Sequence, residues 1–240
     1  MLLSRFSPAR LFNQLLPAPC LLCGLTDTNH PLLCPECDSA LPRLSREAFL
    51  CRCCALPLCS NASLCGKCLN KPPAFSQSSI AFSYVHPLDH LIHQFKYRQQ
   101  LSSGKLLARL LLETCRNSPQ PDLLVPVPMH WRKRWQRGFN QSELIAYWVG
   151  KELKLPVLSA CRQTHHHHSQ KGLSRRERIK NQRHSFGLAT DIAQQINNRH
   201  IALIDDVVTT TATVRALSEL LIKAGAQRVD IWALARTPDQ

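Results

Sequence analysis

A cysteine pattern occurs twice in the first seventy residues of this chain. Each copy contains two Cys-x-x-Cys pairs, and each cysteine of the second copy lies 31 residues after its counterpart in the first. Such a pair places two sulfurs about 2.3 Å from one ion, and two pairs complete a tetrahedral thiolate site. The pattern therefore predicts a small module folded around one or two structural zinc ions. The predicted ligands are Cys20, Cys23, Cys34 and Cys37 in the first copy, and Cys51, Cys54, Cys65 and Cys68 in the second.

The spacing leaves the pairing of the ligands open. Either each repeat binds its own ion, or pairs from different repeats share one. The alternative of reduced, merely buried cysteines is disfavoured by the repetition. The four remaining cysteines do not follow the repeat, and we expect them to pack rather than bind metal. They are Cys53, Cys59, Cys115 and Cys161.

Charge and length narrow the class of protein. The 240 residues include 30 basic and 16 acidic side chains, a net charge of +14, which favours partners that carry phosphate. Nucleotides, nucleic acids and anionic surfaces all fit this charge. No secretory signal and no apolar run of about 18 residues is visible, so we expect a cytoplasmic protein without a membrane span.

The proline-containing stretch KPPAFSQSS, residues 71–79, separates two kinds of sequence. We place the zinc module at 1–75 and a larger domain at 76–240. In the larger domain, short β-rich runs such as HIALIDDVV alternate with segments of helical period such as TVRALSELLIKAG. This alternation predicts an α/β fold, with a parallel-rich sheet and helices on both faces.

The strongest predicted strand runs into an acidic pair and then a series of threonines. Asp205 and Asp206 end the apolar run, and hydroxyls fill the turn before the next helix. The start of a helix offers free amide hydrogens to phosphate, and carboxylates suit ribose hydroxyls or Mg²⁺. A helix cap would explain only one Asp and one Thr, so the cluster predicts a sugar-phosphate site. Its hydroxyls belong to Thr209, Thr210, Thr211 and Thr213.

The middle of the chain concentrates the positive charge. Between residues 130 and 185 there are thirteen Lys or Arg and three acids. Arginines alternate there with aromatic rings, a combination that suits the stacked bases of single-stranded nucleic acid. Arg137 and Gly138 precede a predicted helix start at Asn140 and are expected to present an anion site, whereas the histidine run 165–168 is a weaker metal candidate. The alternating residues are Trp131, Arg132, Arg134, Trp135, Arg137 and Phe139.

Several of these motifs together resemble a known family. LIDDVVTTTATV resembles the loop of type I phosphoribosyltransferases that binds phosphoribosyl pyrophosphate (PRPP), in which two acids precede Thr-Thr-Gly-x-Thr. The order of the cysteine module, HLIHQFKY, LLVPVPMHWRKRWQRGFNQSELIA, SQKGLSRRERIKNQRHSF and the Asp-Asp loop resembles the ComF/GntX family of competence-related proteins. This resemblance covers nearly the whole chain and implies a phosphoribosyltransferase-like larger domain.

The resemblance also implies roles for individual residues. Asp205 and Asp206 would contact the ribose, Thr209–Thr213 the 5′-phosphate, and PVPMHW the pyrophosphate, with Mg²⁺ bound to PRPP. The segment 162–186 would form a lid. From their place in this segment, we hypothesise that Lys171 or Arg175 helps to neutralise the leaving pyrophosphate. Thr211 stands where the family has glycine, and a β-branched residue resists a positive φ at a cost of about 1–2 kcal/mol. We expect phosphate binding to survive this change.

Two functions follow as hypotheses. The first is a Mg²⁺-dependent phosphoribosyltransferase whose acceptor the sequence does not reveal. The second is an adaptor without enzymatic activity that binds single-stranded DNA or a nucleotide with the same fold. Under either hypothesis the family resemblance implies a role in DNA uptake or utilisation, with proteins of the DNA-uptake machinery as partners.

Overall fold

The computed structural model describes residues 19–26, 32–46, 49–163 and 186–238. Its six strands are β1 Ser78–Ser83, β2 Leu123–Pro126, β3 Cys161–Gln163, β4 Phe186–Leu188, β5 His200–Val208 and β6 Arg228–Arg236. Four of them form a fully parallel sheet in the order β1-β6-β5-β2. The short strands β3 and β4 pair antiparallel in a separate ribbon.

At least one helix lies between most pairs of successive strands, and two short helices precede β1. The helices are α1 Pro35–Ser39, α2 Gly66–Asn70, α3 Leu88–Tyr97, α4 Leu101–Cys115, α5 Trp131–Arg137, α6 Gln141–Leu153, α7 Ala193–Ile196 and α8 Ala212–Lys223. Helix α8 is followed by Gly225, whose φ of +101° is a value that favours glycine. Helix α5 was not predicted; it ends at Gly138, whose φ is +79°.

Helices cover both faces of the sheet, as the sequence predicted. Alternate residues of β5 point to opposite faces, so Ala202 and Ile204 belong to one core and Ile201 and Leu203 to the other. Helices α3, α4 and α6 pack on the first face, and α7 and α8 on the second. The apolar run of β5 is explained by burial on both sides.

The two cysteine repeats lie on opposite faces of the same sheet. Cys20 and Cys34 join the core under α3 and α4, whereas Cys51 and Cys65 join the core under α8. The chain between the repeats runs along the outer edge of β1, where the amide of Ser83 donates to the carbonyl of Pro42 at 2.9 Å. This connection protects the free edge of the sheet.

Residues on both sides of position 75 share these two cores, so the division into 1–75 and 76–240 stays a prediction. Within the described ranges, no helix combines the length and apolarity needed to cross a bilayer.

Candidate functional site

Each cysteine repeat gathers its own four sulfurs. The Sγ atoms of Cys20, Cys23, Cys34 and Cys37 all lie within 4.8 Å of one another, and so do those of Cys51, Cys54, Cys65 and Cys68. The distance from Cys54 Sγ to Cys65 Sγ is 3.7 Å. A tetrahedron with metal–sulfur bonds of about 2.3 Å has edges of about 3.8 Å. The pairs therefore do not interleave, and each tetrad fits one ion.

The electrostatics of the second tetrad also favour a cation. Burial, and then the neighbouring thiolates, raise the pKa of Cys54 to about 11, and the pKa of Cys68 is raised in the same way. At Cys51, burial raises the pKa, but hydrogen bonds from the backbone at Cys54 and Cys65 bring it to about 7. A divalent ion removes the repulsion that keeps the other thiols protonated.

The cysteines outside the repeat take part in neither tetrad. Cys115 and Cys161 are buried, and burial raises the pKa of Cys161 to about 12. Such thiols are unreactive at neutral pH, in agreement with the predicted packing role.

A cavity of about 340 Å³ lies at the carboxyl ends of β2 and β5. Parallel α/β sheets commonly bind ligands at this end. The residues around the cavity come from six segments of the chain. They are Lys96, Val127, Pro128, Met129, His130, Lys133, Arg137, Asn140, Ser142, Gln163, Phe186, Asp205, Asp206, Ala212 and Thr213.

Asp205 and Asp206 lie within β5 rather than after it, because the strand continues to Val208. Its pairing with β2 stops at Ile204, so the neighbouring strand is absent beside the two carboxylates. The amide of Asp206 donates to Asp205 Oδ1 at 2.9 Å instead. Both side chains line the cavity.

Lys96, at the end of α3, is a site residue that the sequence reasoning missed. Its Nζ lies 2.8 Å from Asp206 Oδ2, and the two side chains are only 15% and 14% exposed. An ion pair contributes little to stability when both side chains are exposed to solvent, and this pair is not exposed in that way. The sequence signal for it is the motif HLIHQFKY, which contains Lys96 and is part of the family resemblance.

The Asp205 carboxyl has a very different environment from that of Asp206. Burial, and then the charge of Asp206, raise the pKa of Asp205 to about 7. A hydrogen bond from Ser142 Oγ to Asp205 Oδ1, at 3.3 Å, opposes the shift only in part. Ser142 and Asn140 start α6, where the Asn140 side chain accepts from the Ser142 amide. The sequence identified Asn140 as a helix start but not as part of the cavity.

The threonine cluster divides between the cavity and other positions. Thr213 and Ala212 line the cavity, whereas Thr209 and Thr210 are exposed and do not border it. Within the described ranges, the amides of Ala212 and Thr213 donate to no other protein atom. The start of α8 therefore presents free amides to the cavity.

Thr211 adopts the backbone conformation expected of the family glycine. Its φ is +63° and its ψ is 0°, in the left-handed region, so the turn has not relaxed to accommodate the β-branched side chain. The hydroxyl is buried and accepts from Arg215 Nε at 3.1 Å. Because the Thr211 hydroxyl binds Arg215 in this way, it does not serve a ligand in the cavity in place of a backbone amide.

The predicted basic residues also divide. Arg137 lines the cavity, and its guanidinium lies 4.9 Å from the centre of the Tyr97 ring. Lys133, which was not among the predicted site residues, lines the cavity as well. Arg134 points elsewhere, to Glu143 at 2.9 Å, and Arg132 lies over the ring of Trp131.

Gly138 ends α5 without bordering the cavity. Lys171, Arg175, the histidine run 165–168 and most of the predicted lid 162–186 lie outside the described residues. The ends of that segment that are described, Gln163 in β3 and Phe186 in β4, both line the cavity.

The sequence has relatives over most of its length. The DNA utilization protein YhgH of Salmonella typhi is 35% identical over 232 residues, which cover 92% of this chain and 98% of that protein. Competence protein F of Haemophilus influenzae is 32% identical over 211 residues, covering 85% and 90%. The chain belongs to the ComF/GntX family. No model of a protein family matches the sequence.

More distant similarities accompany the ComF relatives. Competence protein ComFC of Streptococcus pneumoniae is 26% identical over 241 residues, covering 90% of this chain and 99% of that protein. Among solved structures, adenine phosphoribosyltransferase from Leishmania tarentolae is 15% identical, with a TM-score of 0.40 and coverage of 67% of this chain and 76% of that chain. The PRPP amidotransferase from B. subtilis is 16% identical, with a TM-score of 0.39 and coverage of 53% and 25%.

The raised pKa of Asp205 predicts how its replacement changes stability with pH. Between about pH 4 and 7 the folded chain holds a proton on Asp205 that the unfolded chain has lost, so the wild-type free energy of unfolding falls as pH rises through this window. Asp205→Asn cannot lose that proton. We expect the variant to gain more than ~1 kcal/mol relative to wild type between pH 5 and pH 8, measured by urea unfolding without ligand.

Asp206→Asn is the matched control, because it makes the same chemical change one residue away and removes the ion pair with Lys96. It should show a smaller relative gain with rising pH, because it removes the charge of Asp206 but leaves the burial that is the main cause of the raised Asp205 pKa. An equal stability difference between wild type and Asp205→Asn at both pH values would contradict the assignment.

Proposed function

We propose that this ComF protein binds PRPP in the cavity at the end of β5. One observation supports the proposal above all: paired carboxylates, free helix amides and the basic side chains of Lys133 and Arg137 border the same 340 Å³ space. Ribose hydroxyls, a 5′-phosphate and a pyrophosphate need these three kinds of partner. A surface that attracted phosphate through positive charge alone would not contain the two carboxylates.

Each part of PRPP has residues suited to it. The amides of Ala212 and Thr213, with the Thr213 hydroxyl, would hold the 5′-phosphate at the positive end of α8. Asp205 and Asp206 would accept from the ribose hydroxyls. The pyrophosphate would lie toward Lys133 and the other cations of α5.

Magnesium would bind with PRPP rather than to a dedicated protein site. Carboxylates are ligands that Mg²⁺ accepts, but Asp206 is already paired with Lys96 at 2.8 Å. This pairing favours hydrogen bonding from ribose to the aspartates over direct coordination of the metal. The bound ion would offset charge on the pyrophosphate.

If the site turns PRPP over, the reaction is displacement at the ribose anomeric carbon. A bond to the acceptor forms there, the bond to the pyrophosphate oxygen breaks, and pyrophosphate leaves with its electron pair. Lys133 and Arg137 would stabilise the leaving charge, and the Asp205–Asp206 pair would hold the ribose in line. Phe186, at the rim, offers a ring on which a planar acceptor could stack.

The relatives point to the process in which such a site acts. Proteins named for DNA utilization and for competence match this chain over about nine tenths of its length. We propose that this chain serves DNA uptake or utilisation as well, together with proteins of the uptake machinery.

The PRPP proposal is tested by isothermal titration of the zinc-loaded protein with PRPP and Mg²⁺. Asp205→Asn and Asp206→Asn should each weaken binding at least roughly tenfold, because each removes an acceptor for a ribose hydroxyl. Asp89→Asn makes the same change at the other end of α3 from Lys96 and should bind as wild type does. Absence of PRPP binding to wild type, or equal binding by all three variants, would refute the proposal.

We further propose that each tetrad holds one structural zinc ion, giving two per chain. Four thiolates leave no open position for chemistry, so the metal would act by stabilising segments with few apolar contacts. Purified protein should contain two zinc ions per chain by elemental analysis. Cys23→Ser and Cys54→Ser, which alter equivalent positions of the two repeats, should each retain one, and Cys59→Ser should retain both. One zinc in wild type, or loss of both in either ligand variant, would contradict independent sites.

A second function, binding of single-stranded DNA, is supported by a separate observation. Trp131 and Trp135 on α5 are 65% and 86% exposed, and the Arg132 guanidinium lies over the Trp131 ring. Large exposed rings next to cations are suited to stacking bases along a phosphate backbone.

The DNA proposal is tested by fluorescence anisotropy with a labelled oligothymidylate at two salt concentrations. Trp135→Ala should weaken binding by roughly fivefold or more, because it removes a stacking surface. Tyr147→Ala, which removes an exposed ring from α6, should have no effect. Weakening by Asp205→Asn, or equal effects of the two aromatic variants, would instead assign the DNA to the cavity or to charge alone.

A further inference from the structure

One guanidinium connects the second cysteine tetrad to the turn before α8. Arg215 donates through Nε to Thr211 Oγ1 at 3.1 Å, through Nη1 to the carbonyl of Lys71 at 2.7 Å, and through Nη2 to Cys68 Sγ at 3.3 Å. The three acceptors belong to the turn, to the residue after α2, and to the tetrad. Arg215 therefore connects α8 to residues that lie 144 and 147 positions earlier in the sequence.

The contact at Thr211 acts on the most strained residue of the candidate phosphate site. A threonine in the left-handed region is disfavoured by its own Cβ, and only surrounding contacts can keep it there. Arg215 supplies such a contact to the hydroxyl, one turn along α8. The adjacent residues Ala212 and Thr213 are the ones whose amides face the cavity.

The other two contacts depend on the second cysteine repeat. Cys68 is buried and belongs to the tetrad, and the carbonyl of Lys71 follows directly on the helix that carries it. A metal-bound thiolate retains negative charge and accepts strongly from a guanidinium. Metal binding would also fix the position of both acceptors, because short cysteine modules fold with their metal.

The first repeat has no equivalent link among the described residues. Its corresponding ligand is Cys37, which lies 31 residues before Cys68. The first tetrad packs on the opposite face of the sheet, away from α8. The chain thus contains two matched metal sites, of which one contacts the turn.

We propose that Arg215 is a positioning residue that makes the phosphate turn depend on the metal-bound second tetrad. It holds Thr211 in the left-handed conformation only while Cys68 and Lys71 hold the guanidinium. The two tetrads then have different roles: the first supports the fold, and the second also sets the affinity for a phosphorylated ribose. The expected effect on PRPP affinity rests on the proposed function. The expected effect on the conformation of the turn does not.

The test is a double-mutant cycle on the full-length, zinc-loaded protein. Arg215→Ala should weaken PRPP binding roughly tenfold by titration calorimetry, because Thr211 leaves the left-handed region. Adding Thr211→Gly should restore affinity to near wild type, because glycine adopts a positive φ unaided. A general packing defect caused by loss of Arg215 would not be rescued in this way, so failure of the rescue would overturn the proposal.

The link to the metal is tested by the matched pair Cys68→Ser and Cys37→Ser. Cys68→Ser should weaken PRPP binding roughly fivefold, with rescue by Thr211→Gly, and Cys37→Ser should leave it unchanged. Unfolding of the second repeat in Cys68→Ser also removes the acceptors of Arg215, so the expected result is the same. Equal effects of the two serine variants would overturn the coupling.

A readout without ligand separates this inference from the proposed function. Hydrogen–deuterium exchange over residues 209–214 of the ligand-free protein should be at least roughly threefold faster in Arg215→Ala and in Cys68→Ser than in wild type. Cys37→Ser should match wild type. If wild type fails to bind PRPP but these differences appear, the proposed function fails and the coupling stands. If PRPP binds and exchange is unchanged in every variant, the coupling fails alone.

Discussion

The site depends on the unequal lengths of two neighbouring strands. Strand β2 stops pairing at Pro126, opposite Ile204, while β5 continues to Val208. Beyond Ile204 one side of β5 has no strand beside it, and the backbone satisfies part of its hydrogen bonding from its own aspartate side chains. The space left by the missing strand becomes the cavity. A longer β2 would pair β5 to its end and exclude any ligand.

The metal module is built into the same sheet rather than attached to it. The two repeats contribute to the two cores, and the chain between them follows the edge of β1. Loss of metal from either repeat would therefore uncover apolar surface of the larger domain as well as loosen the module. In this arrangement Arg215, one helical turn after Thr211, contacts both the turn before α8 and the second repeat, so one side chain links the proposed phosphate site to that repeat.

Periodicity and local motifs predicted the alternation of strands and helices and the two cysteine tetrads, because each of these is encoded within a few residues, but they did not predict helix α5. Lys96 was missed, since its ion pair with Asp206 joins residues that only the tertiary fold brings together. Thr209 and Thr210 were included because a motif does not reveal which hydroxyls of a turn face inward. The ligand pairing within each repeat likewise required the path of the backbone, which spacing alone leaves undetermined.

Helix α5 explains how the two proposed functions can share one protein. Lys133 and Arg137 are four residues apart and face the cavity, whereas Trp131 and Trp135 are four residues apart and face outward. Because residues at this spacing lie on one side of a helix, the seven-residue helix carries the groups proposed for phosphate and those proposed for bases on different sides. A strand of DNA on the outer face would leave the cavity open to PRPP. The two proposed ligands would therefore use different residues of α5, and each set can be substituted without changing the other.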